Sequence, residues 1–222
     1  MMMRLQLEKS DAESKHAIRG FRGIGVVLPT GKQVCFHETG RFAYVPTTGF
    51  GTAVYPFVSF KTMKESILYA IKLGYRHFDS AALYQSEQSL GEAIVDAIRL
   101  GFIKSHKELF ITSKLWCFDA HHDHALPAIR KSLKNFFPWI SSLFGKPWRS
   151  VSLGLTKSVG VSNFSCKKLQ LLLSTAKIPP AVNQVGMNPL WQQKNLRDIC
   201  EKNDIHVTAF SPLGAKGTSW GK

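Results

Sequence analysis

The sequence predicts an α/β fold, a parallel sheet wound with helices as a β/α barrel. Two observations predict it. From Gly49 onward, short apolar runs alternate with amphipathic helical patterns, which implies parallel strands joined by β-α-β crossovers. In addition, Asp79, Lys114, Asn163, Gln184 and Ser211 all fall at or near the C-terminal ends of those apolar runs, the rim at which such a barrel gathers its reactive groups.

Residues 1–20 carry Glu8, Asp11 and Glu13 without an apolar stretch, and are expected to form a disordered tail rather than a secretory signal. Residues 21–48 read as an irregular lead-in with a hairpin. Its strands would be Val26-Val27-Leu28 and Gln33-Val34-Cys35-Phe36 around a turn at Pro29 to Lys32, lying across the N-terminal mouth of the barrel. Thr62 with Glu65 predicts a capping box, followed by a helix with Met63, Ile67, Ala70 and Ile71 on its inner face and Gly74 as its stop. A strand then ends at Asp79. Ser86 is placed to cap a helix bearing Leu90, Ala93, Ile94, Ala97 and Ile98 at helical spacing, with Gly101 at its end.

Leu109–Leu115 is the next predicted strand and Asp123–Asn135 the next helix. Beyond an irregular interval come a strand over Thr156–Val161 and a helix over Ser165–Ala176 with Leu169, Leu172 and Leu173 inward. A strand over Ala181–Met187, a helix over Gln192–Asn203 and a strand over His206–Phe210 complete the series. A dinucleotide-binding open sheet fits less well. Gly20-Phe21-Arg22-Gly23-Ile24-Gly25 lacks the required glycine spacing, and Gly49-Phe50-Gly51-Thr52 opens no immediate helix.

The 222 residues suffice for a substantial core, and 44% hydrophobic with 20% charged residues reads as a soluble globular chain. No apolar run reaches the ~18 residues of a membrane span. Cys35, Cys117, Cys166 and Cys200 show neither a redox pair nor zinc spacing, and are expected to be buried free thiols in a reducing, cytoplasmic setting. The net charge of +14 favours phosphate-rich partners. The cations are scattered, however, with only pairs such as Lys167-Lys168 and Arg130-Lys131, so specific nucleic-acid binding is not expected. His121, His122, Asp123 and His124 could suggest a metal, but adjacent side chains diverge and no distant ligand set accompanies them; the cluster more readily opens a helix.

The chemistry centres on Asp79, Tyr84 and Lys114. A free tyrosine hydroxyl, with a pKa near ~10, is a poor acid at neutral pH. A lysine beside it stabilises the phenolate left after proton loss, and an aspartate orients that lysine. Together they are the parts of a proton donor.

Six stretches, Gly49 to Tyr55, Gly74 to Ile94, Glu108 to Cys117, Gly154 to Leu169, Ile178 to Gln193 and His206 to Trp220, together resemble the aldo-keto reductase family, in its branch of plant polyketide and alkaloid carbonyl reductases. The resemblance implies a (β/α)8 TIM barrel that reduces an aldehyde or ketone with NADPH and without a metal. Tyr84 would be the general acid, tuned by Lys114 and Asp79. Thr52 and Asp79 would border the cofactor, and Ser162, Asn163 and Gln184 would hold its nicotinamide carboxamide. Phe210 would stack on the nicotinamide where the family usually has tyrosine, and Ser211 and Leu213 would meet the pyrophosphate. Tyr55 and Trp116 would line the cleft for a small-molecule carbonyl substrate. The chain would act as a monomer.

Measured against that pattern, the barrel is incomplete within 49–222. Residues 136–152 are too few for the expected fourth strand and its crossover, which need ~30 residues. They carry no histidine, although the family supplies one there to orient the substrate carbonyl, and the segment reads as a splicing or gene-model artefact. By the same comparison the final strand and its helices would be absent from 49–222, and with them the grip on the cofactor's 2′-phosphate. Gly186 stands where the family generally has glutamate, which weakens the sixth strand locally. Impaired reduction is the expectation. The alternative is a noncatalytic, reductase-like interaction module that binds through open strand edges.

Overall fold

A computed structural model describes residues 2–5, 32–35, 43–119, 122–136, 156 and 158–215. The chain divides into two compact units, Met1–Glu8 with Thr48–Ser158, and Lys9–Thr47 with Val159–Lys222.

In the first unit the sheet order is β4 (Gly49–Gly51), β5 (His77–Asp79), β6 (Phe110–Lys114) and β1 (Met2–Leu5). The first three strands are parallel, whereas β1 is antiparallel to β6. Side chains alternate across a strand, so Phe78 and Ile111, which are in register, face the helices. His77 and Phe110 face the other way, with ring centroids 4.5 Å apart.

Helices α1 (Phe60–Lys72), α2 (Glu87–Arg99) and α3 (His122–Phe136) cover the Phe78 face. The inner residues of α1 expected from periodicity, Met63, Ile67, Ala70 and Ile71, are all buried, as are Leu90, Ala93, Ile94 and Ala97 of α2. Both helices end in the same way. Gly74 (φ +95°) and Gly101 (φ +73°) take the left-handed conformation, and the next two amides fold back onto the last turn: Gly74 and Tyr75 donate to Ile71 and Ala70, and Gly101 and Phe102 to Ile98 and Ala97. The start of α1 differs from expectation. Ser59, not Thr62, caps it, accepting the Thr62 amide at 3.1 Å. Helices α2 and α3 meet at Gly91, where a Cβ would stand 2.6 Å from the carbonyl oxygens of Asn135 and Phe136. Only glycine allows that approach.

Met2–Leu5, expected within a disordered tail, is a strand. Its register runs from Met2 opposite Lys114 to Leu5 opposite Ile111. The β5–β6 register stops at Thr112. Among the described residues, Ser113 and Lys114 therefore have β1 as their only strand partner. Deleting Met2–Leu5 is expected to raise amide hydrogen exchange in the 110–114 segment at least tenfold, most at its C-terminal end. Unchanged exchange would show that β1 does not occupy this edge in solution.

In the second unit β2 (Lys32–Cys35) and β3 (Ala43–Pro46) form an antiparallel hairpin. This corrects the expected pairing, since the 33–36 run finds its partner downstream; residues 26–31 lie outside the described residues. β7 (Ser158–Ser162), β8 (Val182–Gly186) and β9 (His206–Phe210) make a parallel sheet in that order. α4 (Cys166–Thr175), capped by Ser165, and α5 (Lys194–Lys202) cover it through Leu169, Val185, Leu196 and Cys200. The divergent segment lies outside the described residues except for Phe136, which closes α3 fully buried.

Candidate functional site

The first unit builds a cation cluster. Asp79 ends β5 and Lys114 ends β6, so both side chains leave the sheet at its C-terminal edge. Register places Asp79 beside Thr112, which sets Lys114 one same-face repeat farther along. The Lys114 ammonium donates to Asp79 Oδ1 and, at 3.1 Å, to the Ser80 carbonyl. Only 13% of the lysine side chain and 17% of the aspartate side chain are exposed, so their attraction is weakly screened. Tyr84, half-buried at the end of the 3-10 turn Ala82–Tyr84, holds its ring centroid 4.8 Å from Lys114 Nζ. That is a cation-π distance, and it brings a phenol, an ammonium and a carboxylate to one place.

Buried hydroxyls tie these strand ends together. Thr52 donates through its amide (2.9 Å) and its hydroxyl (3.0 Å) to the Asp79 carbonyl. The Thr52 hydroxyl also lies 2.6 Å from that of Ser86, which lies 2.8 Å from that of Ser80. Thr52 is 1% exposed, and its hydroxyl is engaged with the Asp79 carbonyl. Ser86 stands at the N-cap of α2, yet its side chain makes no capping bond; it is committed to Thr52 and Ser80. Tyr55, Leu83, Trp116 and Phe118 are exposed to solvent.

Sequence reasoning missed the buttress behind Lys114. Glu87, in the first turn of α2, is buried and accepts hydrogen bonds from Ser113 Oγ (2.7 Å) and Asn135 Nδ2 (3.0 Å). The positive end of α2 favours a carboxylate at that position. The bonds lock α2, α3 and the residue preceding Lys114. An acidic residue opening a helix reads as solvated, so the only signal in the sequence was Ser113, a polar residue in an apolar strand.

The second unit gathers the other expected residues at the ends of β7, β8 and β9. Ser162 Oγ donates to the Gln184 carbonyl at 3.2 Å, and the Asn163 amide donates to the same oxygen at 2.9 Å. Asn163 is exposed, with its Nδ2 3.3 Å from Ser162 Oγ. The Gln184 side chain is buried within β8. Phe210 ends β9 partly exposed, Ser211 turns the chain, and Leu213 is fully open to solvent. The residues following Tyr84, Ser162 and Phe210, namely Gln85 (φ +56°), Asn163 (φ +59°) and Ser211 (φ +49°), are all left-handed without being glycine. The same backbone conformation occurs at Gln193 (φ +50°) and Asp204 (φ +54°), on either side of α5, so it is not confined to these positions.

Other titratable groups are less suited to chemistry. Burial pushes the Cys200 thiol above its usual range and the His206 imidazole below its own. Cys200 is the buried thiol expected, but Cys166 is only partly buried and Cys117 is exposed. The reason for the correction is position: Cys117 follows β6 on a surface turn. His124 Nδ1 sits 3.2 Å from the Phe118 carbonyl. No group of potential metal ligands occurs among the described residues, and none of the described helices is long and apolar enough to cross a membrane.

Comparison with known proteins supplies the lineage. The family model described as "Aldo/keto reductase family" matches residues 47–137 and 149–219, so the match breaks within the divergent segment. The chain is 50% identical over 207 residues to the (1S)-1,7-diacetoxy-luvungin A aldo-keto reductase of Citrus sinensis, covering 80% of this chain and 64% of that protein. It is 48% identical over 208 residues to the NADPH-dependent codeinone reductase 1-4 of Papaver somniferum, covering 80% and 65%. A solved Bombyx mori aldo-keto reductase in complex with NADP superposes with a TM-score of 0.71 at 28% identity, covering 91% of this chain and 71% of that one. The chain thus spans just under two thirds of the length of these two plant relatives.

Proposed function

This chain belongs to the aldo/keto reductase family, and from that premise we propose that it reduces an aldehyde or ketone to an alcohol with NADPH, using Tyr84 as the proton donor. The observation that carries the reading is the Lys114 ammonium, fixed by Asp79 and the Ser80 carbonyl and seated 4.8 Å from the Tyr84 ring. As the substrate carbonyl becomes an alkoxide, Tyr84 Oη gives it a proton, and the nearby cation stabilises the phenolate that remains. Asp79 holds the ammonium toward the ring.

The residues of the second unit fit the cofactor's nicotinamide. Its carboxamide needs both donors and acceptors, which Ser162, Asn163 and the Gln184 amide provide, and the partly exposed Phe210 ring suits a flat heterocycle. When bound, NADPH supplies the hydride. Ser211 and Leu213 would meet the pyrophosphate through their backbones. The exposed Tyr55 and Trp116 would offer apolar walls to the substrate.

Turnover below that of the longer relatives is part of the proposal, because the sequence has no histidine between His124 and His206 to orient the carbonyl. Action as a monomer in the cytoplasm completes it.

The test is to purify the chain, titrate NADPH by fluorescence, and follow NADPH consumption over a panel of aldehydes and ketones. Saturable NADPH binding with slow, carbonyl-dependent turnover is expected. Absence of NADPH binding would overturn the reading in favour of a noncatalytic reductase-like module, and turnover matching the relatives would overturn the proposed impairment.

A further inference from the structure

Gly186 and Phe210 end the neighbouring parallel strands β8 and β9 in direct register. A Cβ built at Gly186 would stand 3.2 Å from both Cε2 and Cζ of the Phe210 ring, and 4.0 Å from Cδ2. The outer end of the ring thus reaches across to β8 and borders the space that a side chain at 186 would fill. The backbones on both sides are tied. Met187 N–H donates to the Phe210 carbonyl at 3.4 Å, and Gln193 Nε2 donates to the Gly186 carbonyl at 3.2 Å.

Gly186 does not have the left-handed backbone that would demand glycine, and the three atoms nearest to an added methyl all belong to the Phe210 ring. Phe210 is 38% exposed, so its ring has solvent to move into, whereas the paired strands are held by their hydrogen bonds. A side chain at 186 would therefore shift the ring and leave the sheet in place.

We propose that Gly186 is a positioning residue for the cofactor: by carrying no side chain it lets Phe210 lean over β8, and this sets the height and tilt of the platform on which the nicotinamide ring stacks. The assignment rests on the NADPH reading given above. Stacking of flat rings depends on their offset and separation, so a displacement of a few tenths of an ångström is felt in affinity before it is felt in stability.

The experiment is a double-mutant cycle on NADPH affinity with Gly186→Ala, Phe210→Ala and the pair, each checked by thermal melting and by the ring-proton shifts of Phe210. Gly186→Ala is expected to weaken NADPH binding about fivefold and to move the Phe210 shifts, with a melting temperature no lower than that of the wild type. In the Phe210→Ala background the same change should cost nothing further, because the ring through which it acts is gone. Wild-type affinity in Gly186→Ala, or a full penalty persisting without the ring, would overturn the proposal. Failure of the wild-type chain to bind NADPH would remove the ligand and the function reading together. The seating of the ring is read independently: Phe210 shifts that do not respond to Gly186→Ala would show that the ring does not lean on position 186.

Discussion

Tyr84→Phe is expected to lower carbonyl reduction by ~10³-fold while leaving NADPH affinity unchanged. Phenylalanine keeps the ring beside Lys114 and removes only the hydroxyl, so packing and the cation-π contact survive. The loss should fall on kcat, because the proton is given only as the carbonyl is reduced. Steady-state rates with single-turnover measurements check this. A variant retaining more than about a tenth of the wild-type rate would remove Tyr84 from the proton-donor role, since a positioned general acid contributes at least ~10². The divergent segment makes the experiment sharper: with no histidine there to share the proton, Tyr84 has no substitute in the proposed mechanism.

The second large effect is structural and lies behind the site. Glu87→Ala should destabilise the first unit by roughly 3–5 kcal/mol, because it leaves the buried donors Ser113 Oγ and Asn135 Nδ2 without their acceptor and opens a small cavity. Hydrogen exchange in the 87–99 and 110–114 segments, with urea unfolding, measures it. Glu87→Gln retains one acceptor oxygen but faces two donors, and should recover only part of the loss. Because Ser113 adjoins Lys114, this variant also tests whether the buttress holds the ammonium. A shift in urea midpoint below that expected for about 1 kcal/mol would show that these bonds do not support the fold.

Much of the architecture was legible because it is written in local periodicity. The inner faces of α1 and α2, the glycine stops at Gly74 and Gly101, and the positions of β5 to β9 depend on residues within a few turns of one another. Cap assignment failed by one turn at α1. Ser59 and Thr62 are both capping residue types, and the longer start is supported from outside the helix, where Ser89 Oγ donates to the Phe60 carbonyl at 3.3 Å. Ser86 sat where expected but spends its hydroxyl on Thr52 and Ser80, a choice made by burial. The β1 strand was missed because its four residues carry no pattern of their own; its partner lies more than a hundred residues away.

The sequence by itself determined that Asp79 and Lys114 fall at the C-terminal ends of successive strands. Alternation and strand length suffice for that, since both are properties of contiguous residues. The tertiary structure alone decided that Glu87 is a buried acceptor, that β1 borders the strand carrying Lys114, and that Phe210 leans over the vacant side chain of Gly186. Each of these depends on which distant groups burial forces together, and on the requirement that every buried polar atom find a partner there.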